Sequence, residues 1–295
     1  MTVASGSTPP SSVRRDGNSG GRARRPLDTQ ALRWRILVDP PSSGPRNMAV
    51  DHALAACSSP GEAVLRIYRW RCPTVSFGRN EPARGRYDAA AGRSAGIEFV
   101  RRPTGGRAVL HDRELTYAVV VPCPTPGRLR ATYGLINRGL VEALSSLGVP
   151  AAMAAGHSLP ARRGFAAGRD SGPCFDEPAP GEVTVDGRKL VGSAQARLEG
   201  ALLQHGSLLI GPGQERLLDL DSASSATSTG SQAPISLEEI LGQAPPWSDL
   251  VDAVISGVSG VTGGDWYRGE LTEPERVQCK ALTERYASAG WTWRR

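Results

Sequence analysis

The sequence predicts an α+β fold, a mixed, largely antiparallel central sheet flanked by helices, and three stretches predict it. Glu182 to Ile210 reads as three consecutive strands joined by tight turns. Ile97 to Val121 reads as further strands around the turn Pro103-Thr104-Gly105-Gly106. Leu129 to Leu147 has Tyr133, Ile136, Leu140, Ala143, Leu144 and Leu147 on one stripe at helical spacing, with Gly148 and Pro150 beyond it, the signature of a core-facing helix and its stop. Strands joined by short turns, with helices set beside them, make the α+β class.

Taken in order, residues 1–30 are rich in Ser, Gly, Pro and Arg and nearly free of large apolar residues. Such a segment buries too little surface to offset its ordering entropy, so the expectation is a disordered extension; its Arg and Ser content would also suit a transit peptide. Trp34 to Val38 is a short strand. Asn47 is placed to cap a helix running to Cys57, with Ala49, Val50, Ala53 and Leu54 inward. Val64 to Tyr68 and Thr74 to Phe77 are strands, and Gly78 to Gly92 a loop with a short helix. Ile97 to Arg102 enters the glycine turn, and Arg107 to Leu110 and Leu115 to Val121 leave it. Gly156 to Gly172 is polar and glycine-containing, the pattern of a mobile loop.

Within the long hairpin stretch, Glu182 to Val185 turns at Asp186-Gly187 into Arg188 to Leu198, then at Glu199-Gly200 into Ala201 to Ile210. Asp221 to Ala233 is low-complexity and reads as a flexible loop. Leu237 to Leu241 and Leu250 to Val258 are helical. Thr272 with Glu275 forms a capping box for a last helix from Glu273 to about Ala287.

Composition narrows the function classes. No apolar run approaches the ~18 residues of a membrane span, and residues 1–30 lack the apolar core of a secretory signal, so neither a membrane partner nor secretion is expected. The five cysteines (57, 72, 123, 174 and 279) show no C-x-x-C pairing, which excludes a zinc or disulfide framework and fits a reducing cytoplasm. The net charge is +6, and half of it sits in residues 1–30. Without a dense basic stripe and interleaved aromatics, nucleic acid is not an expected partner; a mildly basic surface suits an acidic protein.

Two residues stand out chemically. Lys189 is one of only two lysines, the other being Lys280, in a chain with 33 arginines. A compact ammonium is what Arg cannot replace. Strand alternation puts Lys189, Val191, Ser193 and Gln195 on one face and Leu190, Gly192, Ala194 and Ala196 on the other. The first face is polar, as a site or as a solvated outer face. Cys174 lies fifteen residues before Lys189 in a polar Gly-Pro segment that does not look like core, so it is the candidate nucleophile. Gly105 and Gly106, flanked by Arg101, Arg102 and Arg107, are either a plain turn or a cradle for a carboxyl, phosphate or thioester-linked group. Arg102 and Arg107 are equally placed to pair with Asp112 or Glu114. His111 and His205 are either core or site-lining.

Together, RRPTGGRAVLHD (101–112) followed by ELTYAVVVP, DGRKLVGSAQ (186–195), QHGSLLI (204–210), NMAVDHAL (47–54) and RIYRWRCPTVSFGR (66–79) resemble the lipoate-protein ligase and octanoyltransferase family, related to biotin protein ligase. The resemblance covers roughly residues 33–295. It implies a catalytic domain of the biotin/lipoate protein ligase type, class II synthetase-like, over 31–295. Cys174 in SGPCF resembles the LipM-type octanoyltransferase branch, whose members use a cysteine there as acyl-accepting nucleophile. The implied reaction carries an octanoyl group from acyl carrier protein, through a Cys174 thioester, to a lysine of a lipoyl domain such as glycine cleavage H protein or a 2-oxoacid dehydrogenase E2. No ATP or metal is then expected. Lys189 would stabilise the oxyanion and favour the thiolate. Substrate contacts are expected from Arg102, Thr104, Gly105, Gly106, Arg107, Ala108, His111, Gly192, Ser193, Ala194, Gln195, His205 and Gly206. The alternatives are an ATP-dependent ligase using Arg102 to Arg107 around an adenylate phosphate, a transferase moving octanoyl between lipoyl domains, and a non-catalytic carrier-binding protein. The sequence departs from the family at His52, where Glu is usual, and in the long Asp221–Ala233 stretch.

Overall fold

The computed structural model describes residues 1–2, 29–122, 129–155, 180–222 and 233–295. Its strands are β1 (Arg33–Val38), β2 (Glu62–Tyr68), β3 (Thr74–Phe77), β4 (Glu98–Arg101), β5 (Val109–His111) and β6 (Glu114–Pro122). They continue with β7 (Ala152–Met153), β8 (Val183–Val185), β9 (Arg188–Leu198), β10 (Ala201–Leu209) and β11 (Asp265–Arg268). The helices are α1 (Gly44–Ala56), α2 (Ala89–Ser94), α3 (Leu129–Ser146), α4 (Leu237–Leu241), α5 (Trp247–Thr262), α6 (Glu273–Ala287) and α7 (Ala289–Thr292). None is long and apolar enough to cross a membrane.

Among the described residues, the larger sheet has the order β11-β1-β2-β6-β10-β9-β8-β7. β1 runs parallel to both β2 and β11, and every other pairing in this sheet is antiparallel. A smaller sheet, β4-β3-β5, pairs β3 parallel with β4 and antiparallel with β5. The mixed, largely antiparallel expectation is met.

The position of each element follows from its residues. β6, ELTYAVVVP, is mostly apolar and β-branched from Leu115 to Val121, and it sits mid-sheet with all but its last residue buried. A strand covered on both faces has no polar side to show. α3 and α5 cover one face, packing Ile136, Leu140, Leu144, Val254 and Val258 into the larger core. α1 and α6 cover the other, with Met48, Ala49, Ala53, Leu54, Leu282 and Tyr286. The β8–β9 turn holds Asp186 at φ 49° and Gly187 at φ 76°. Positive φ at both central residues matches the right-handed twist of the flanking strands, and Asp-Gly tolerates it.

Three expectations are corrected. α1 starts at Gly44, with Ser43 as N-cap and a proline in its first turn, where a missing N–H costs nothing. Asn47 therefore lies inside the helix, fully buried, and its Nδ2 donates to the carbonyls of Ser42 and Arg69. α5 extends beyond Leu250–Val258 at both ends. Asp221 is not part of a flexible loop: it is buried and accepts a salt bridge from Arg86 at 2.5 Å. Residues 223–232, like 156–172, lie outside the described residues.

Candidate active site

A cavity opens between α1, the glycine turn and the β6–β10–β9 part of the large sheet. Its lining includes Met48, Tyr68, Trp70 and Val109 as apolar wall, Ser76, Arg102 and His111 from the smaller sheet, and Gly192 to Ala194 with His205 to Ser207 from β9 and β10. Register explains the space. His205 pairs with Ala194 and Ser207 with Gly192, so cross-strand neighbours of the two polar side chains are too small to fill the gap. Gly206 is required by close approach: a Cβ there would lie 2.5 Å from the Gly192 carbonyl oxygen and 2.8 Å from the Tyr117 ring.

Below the cavity lies a buried ionic network. Asp51 projects from α1 with no exposure. Its Oδ1 accepts from Arg66 Nη1 at 2.7 Å, and its Oδ2 accepts from the Tyr68 hydroxyl at 3.0 Å and from His205 Nδ1 at 2.9 Å. Burial pushes the Asp51 carboxyl up, but Arg66 and His205 outweigh it and hold it below its ordinary value. Burial likewise pushes the His205 imidazole down, more than Asp51 raises it. A neutral imidazole that donates through Nδ1 has its lone pair on Nε2. That atom sits 2.6 Å from Thr104 Oγ1, so the threonine hydroxyl donates. The chain Asp51–His205–Thr104 therefore ties α1, β10 and the glycine turn together.

A second chain runs beside it. His111 Nδ1 is 2.8 Å from Glu114 Oε1, and its Nε2 is 2.7 Å from Ser76 Oγ. Thr116 and Ser207 hydroxyls both donate to the same Glu114 oxygen. Trp70 stacks on the His111 ring at 4.0 Å between centroids.

Arg102 is the strut of the glycine turn. Its Nη1 donates to the Ser76 carbonyl (2.8 Å) and hydroxyl (3.0 Å), and Nη2 to the carbonyls of Gly105 (2.9 Å) and Arg107 (2.6 Å). The surface pairings open to Arg102 in the sequence are taken by others: Asp112 pairs with Arg216 and Glu114 with His111. Ala108 is buried, and its N–H donates to Glu81.

The opposite face of β9 is closed by α3. Ser193 Oγ lies 2.7 Å from the Tyr117 hydroxyl, and Gln204 Nε2 donates to Tyr117 (3.1 Å) and to Asn137 Oδ1 (3.0 Å). Gln195 Nε2 donates to Gln204 Oε1 at 3.3 Å. Lys189 is buried on this side, and its Nζ lies 2.8 Å from Glu182 Oε1.

The structure thus gathers Arg102, His111, Gly192, Ser193, Ala194, His205 and Gly206 around one cavity, with Thr104 bonded to its rim. It places Gln195 elsewhere, among amides and hydroxyls under α3, and Lys189 beside the Glu182 carboxylate. The polar face of β9 is satisfied by that helix, and it is the small, apolar face that borders the cavity. Cys174 lies outside the described residues, as do Cys123 and His157. Cys57 and Cys72 have thiols that burial pushes up, and Cys279 is buried. Asp51 and Tyr68 were not singled out in the sequence. The available signal for Asp51 was an acid inside the apolar stretch NMAVDHAL, since a buried carboxylate is rare without a partner. His52 is buried, and its Nδ1 is 2.9 Å from the Tyr286 hydroxyl.

Residues 43–259 match the lipoyl protein ligase A/B catalytic domain family. The chain is 38% identical over 281 residues to octanoyltransferase LipM of Symbiobacterium thermophilum, covering 89% of this chain and 98% of that protein. It is 38% identical to octanoyltransferase LipM of Kyrpidia tusciae and 34% to that of Staphylococcus epidermidis, covering 89% of this chain and 99% of each relative. Among solved structures, lipoate-protein ligase A bound with ATP superposes with a TM-score of 0.72 at 22% identity, covering 89% of this chain and 99% of that one. A bi-partite lipoate protein ligase from Thermoplasma acidophilum gives 0.71 at 23% identity, covering 89% and 96%.

Proposed function

The chain belongs to the lipoyl protein ligase A/B catalytic domain family, and from that premise we propose that it is an octanoyltransferase of protein lipoylation, acting in the cytoplasm. It takes the octanoyl group from acyl carrier protein and delivers it to a lysine of a lipoyl domain. Identity of 32–38% to octanoyltransferases over most of the chain is the observation that carries this reading.

In the proposed mechanism the Cys174 thiolate attacks the donor thioester carbon. The donor carbon–sulfur bond breaks, and the carrier thiol leaves with a proton. The neutral amine of the acceptor lysine then attacks the acyl-enzyme. A carbon–nitrogen bond forms, the bond to Cys174 breaks, and the amine's extra proton is released. The two thioesters have similar energies and the amide lies lower, so no nucleotide is consumed and no metal is needed. Each step passes through an oxyanion, for which Lys189, held by Glu182 outside the lining of the cavity, is the proposed cation. The apolar wall of Met48, Tyr68, Trp70 and Val109, opened by Gly192, Ala194 and Gly206, is the proposed seat of the acyl chain.

Against an ATP-dependent ligase stands the use of Arg102: its guanidinium is spent on the carbonyls of Ser76, Gly105 and Arg107 rather than turned toward an adenylate phosphate. Three incubations separate the readings. Octanoyl carrier protein plus apo lipoyl domain is expected to yield octanoylated domain. Transfer only from an octanoylated lipoyl domain would replace the donor. Product only with ATP and free octanoate or lipoate, with release of AMP, would overturn the proposal in favour of a ligase, and product in none would favour a carrier-binding protein.

A further inference from the structure

We propose that the arginines at the C-terminal corner of the fold form the docking surface for the donor carrier protein, receiving its acidic face and the phosphodiester of its acyl-bearing arm. This rests on the transferase reading above.

Arg79, Arg84, Arg285 and Arg295 are exposed there and Arg294 is half-buried. The guanidinium carbons of Arg285 and Arg294 lie 3.9 and 4.0 Å from the centroid of the Trp291 ring. Arg84 Nε donates to the Trp293 carbonyl, and the N–H groups of Ala83 and Arg84 both donate to the Arg295 carbonyl. The corner is therefore a fixed surface, not a fringe of loose side chains. Among the described residues none of these five forms an ion pair with a carboxylate, whereas Arg35, Arg66, Arg86, Arg188 and Arg216 all do.

The cations press on one another. Burial and then Arg295, Arg79 and Arg285 hold the Arg294 guanidinium below its ordinary value. Behind them Arg101 has no exposure, and it is pushed down to about 10 by burial and by Arg294. Arg101 Nη2 and Arg294 Nε are buried with no hydrogen-bond partner among the described residues. The acids nearby are committed. Glu81 accepts from the N–H groups of Gly78 and Ala108 and from the Tyr87 hydroxyl, and Glu199 lies over His52 at 3.9 Å. Like charges gathered with no carboxylate paired to them, with buried donors unpaired, are a surface that an incoming anion completes.

The corner adjoins the cavity. The Arg79 N–H donates to the Thr104 carbonyl at 2.7 Å, and the Thr104 side chain bonds His205 on the cavity wall. Charge decides which of the two macromolecular substrates belongs here. The acceptor brings an amine to the acyl group and no phosphate-bearing arm for the arginines to hold. The donor brings a phosphate-bearing arm on an acidic protein, which they attract and steer.

The test is the binding of carrier protein bearing an amide-linked octanoyl chain, which cannot be transferred, followed by fluorescence anisotropy across a salt series. The chain carrying Arg79→Glu together with Arg285→Glu is compared with wild type. A second variant carries Arg268→Glu, the same kind of charge reversal on the distant strand β11. The corner variant is expected to bind at least about tenfold more weakly with a flatter salt dependence, while keeping its melting temperature and its affinity for apo lipoyl domain. Arg79→Gln with Arg285→Gln is expected to fall between. Equal loss in Arg268→Glu, loss of lipoyl-domain affinity in place of donor affinity, or no binding by wild type overturns the surface. Salt-sensitive binding of this analogue, together with no octanoyl transfer from the ordinary thioester-linked carrier, overturns the transferase reading and leaves the surface standing.

Discussion

The two faces of the β6–β10–β9 ladder solve the same problem differently. On the α1 face, polar side chains are charged or paired with charge: Arg66, Asp51 and His205 in one chain, His111 and Glu114 in the other. On the α3 face most are neutral, with Ser193, Tyr117, Gln204, Asn137 and Gln195 exchanging hydrogen bonds and Lys189–Glu182 the ion pair at its margin. A buried charge must be matched or it destabilises strongly, whereas a neutral hydrogen-bond network loses less when one member goes. The cavity lies on the charged face. The strategy there fixes groups in place, because each member has a partner too costly to leave.

The largest expected effect breaks that charged face. Asp51→Ala strands Arg66 and His205 in the interior and is expected to cost about 3–5 kcal/mol, read by urea unfolding. Gln204→Leu, on the neutral face, is expected to cost about 1–3 kcal/mol in the same assay. Equal losses would erase the distinction between the two faces.

Next is the pair of neighbours on β9. Leu190 is fully buried in the larger core, so Leu190→Ala is expected to cost about 2–5 kcal/mol of stability and leave turnover of the folded fraction near normal. Lys189→Ala is expected to lower kcat by about 10²–10³-fold with little change in donor KM, and Lys189→Arg to restore little. Full turnover in Lys189→Ala would remove it from the chemistry and leave it a structural partner of Glu182.

The smallest effect is the pH dependence of stability. Burial holds His205 and His52 below their ordinary 6.5, so both are kept neutral by folding. Their contribution is present above about 6.5 and is lost as pH falls through the folded values, because the unfolded chain then binds more protons. Asp51, held below its ordinary 3.8, adds a second loss only under more acidic conditions. Among the described residues the α3 face has no histidine. The melting temperature is therefore expected to decline from near pH 6.5 downward, and His205→Gln to flatten that first decline. An unchanged profile in His205→Gln would assign it to His52 instead.

Much of the fold was legible because its signals are local. Thr272 and Glu275 form the capping box that their spacing announces, and Asp186-Gly187 turns where an Asp-Gly pair should. Strand β11 was not legible: Asp265–Arg268 is four residues long and pairs in parallel with β1, far away in the chain. No turn residue marks such a pairing. The site was partly legible. Alternation along β9 told which residues share a face, but not which face borders the cavity. That depended on Asn137, contributed by α3 at a distance of 67 residues from Gln204. The Asp51–His205–Thr104 chain joins residues more than 100 positions apart, and only the tertiary structure brings them together.

The central claim, transfer through a cysteine thioester, is tested most directly by trapping. The protein is incubated with octanoyl carrier protein without acceptor, digested, and the peptides are weighed with and without neutral hydroxylamine. The expected result is one octanoyl adduct on Cys174, removed by hydroxylamine and absent in Cys174→Ser, which stays folded but does not turn over. An adduct on Cys57, Cys72, Cys123 or Cys279, or full activity in Cys174→Ser, would contradict it.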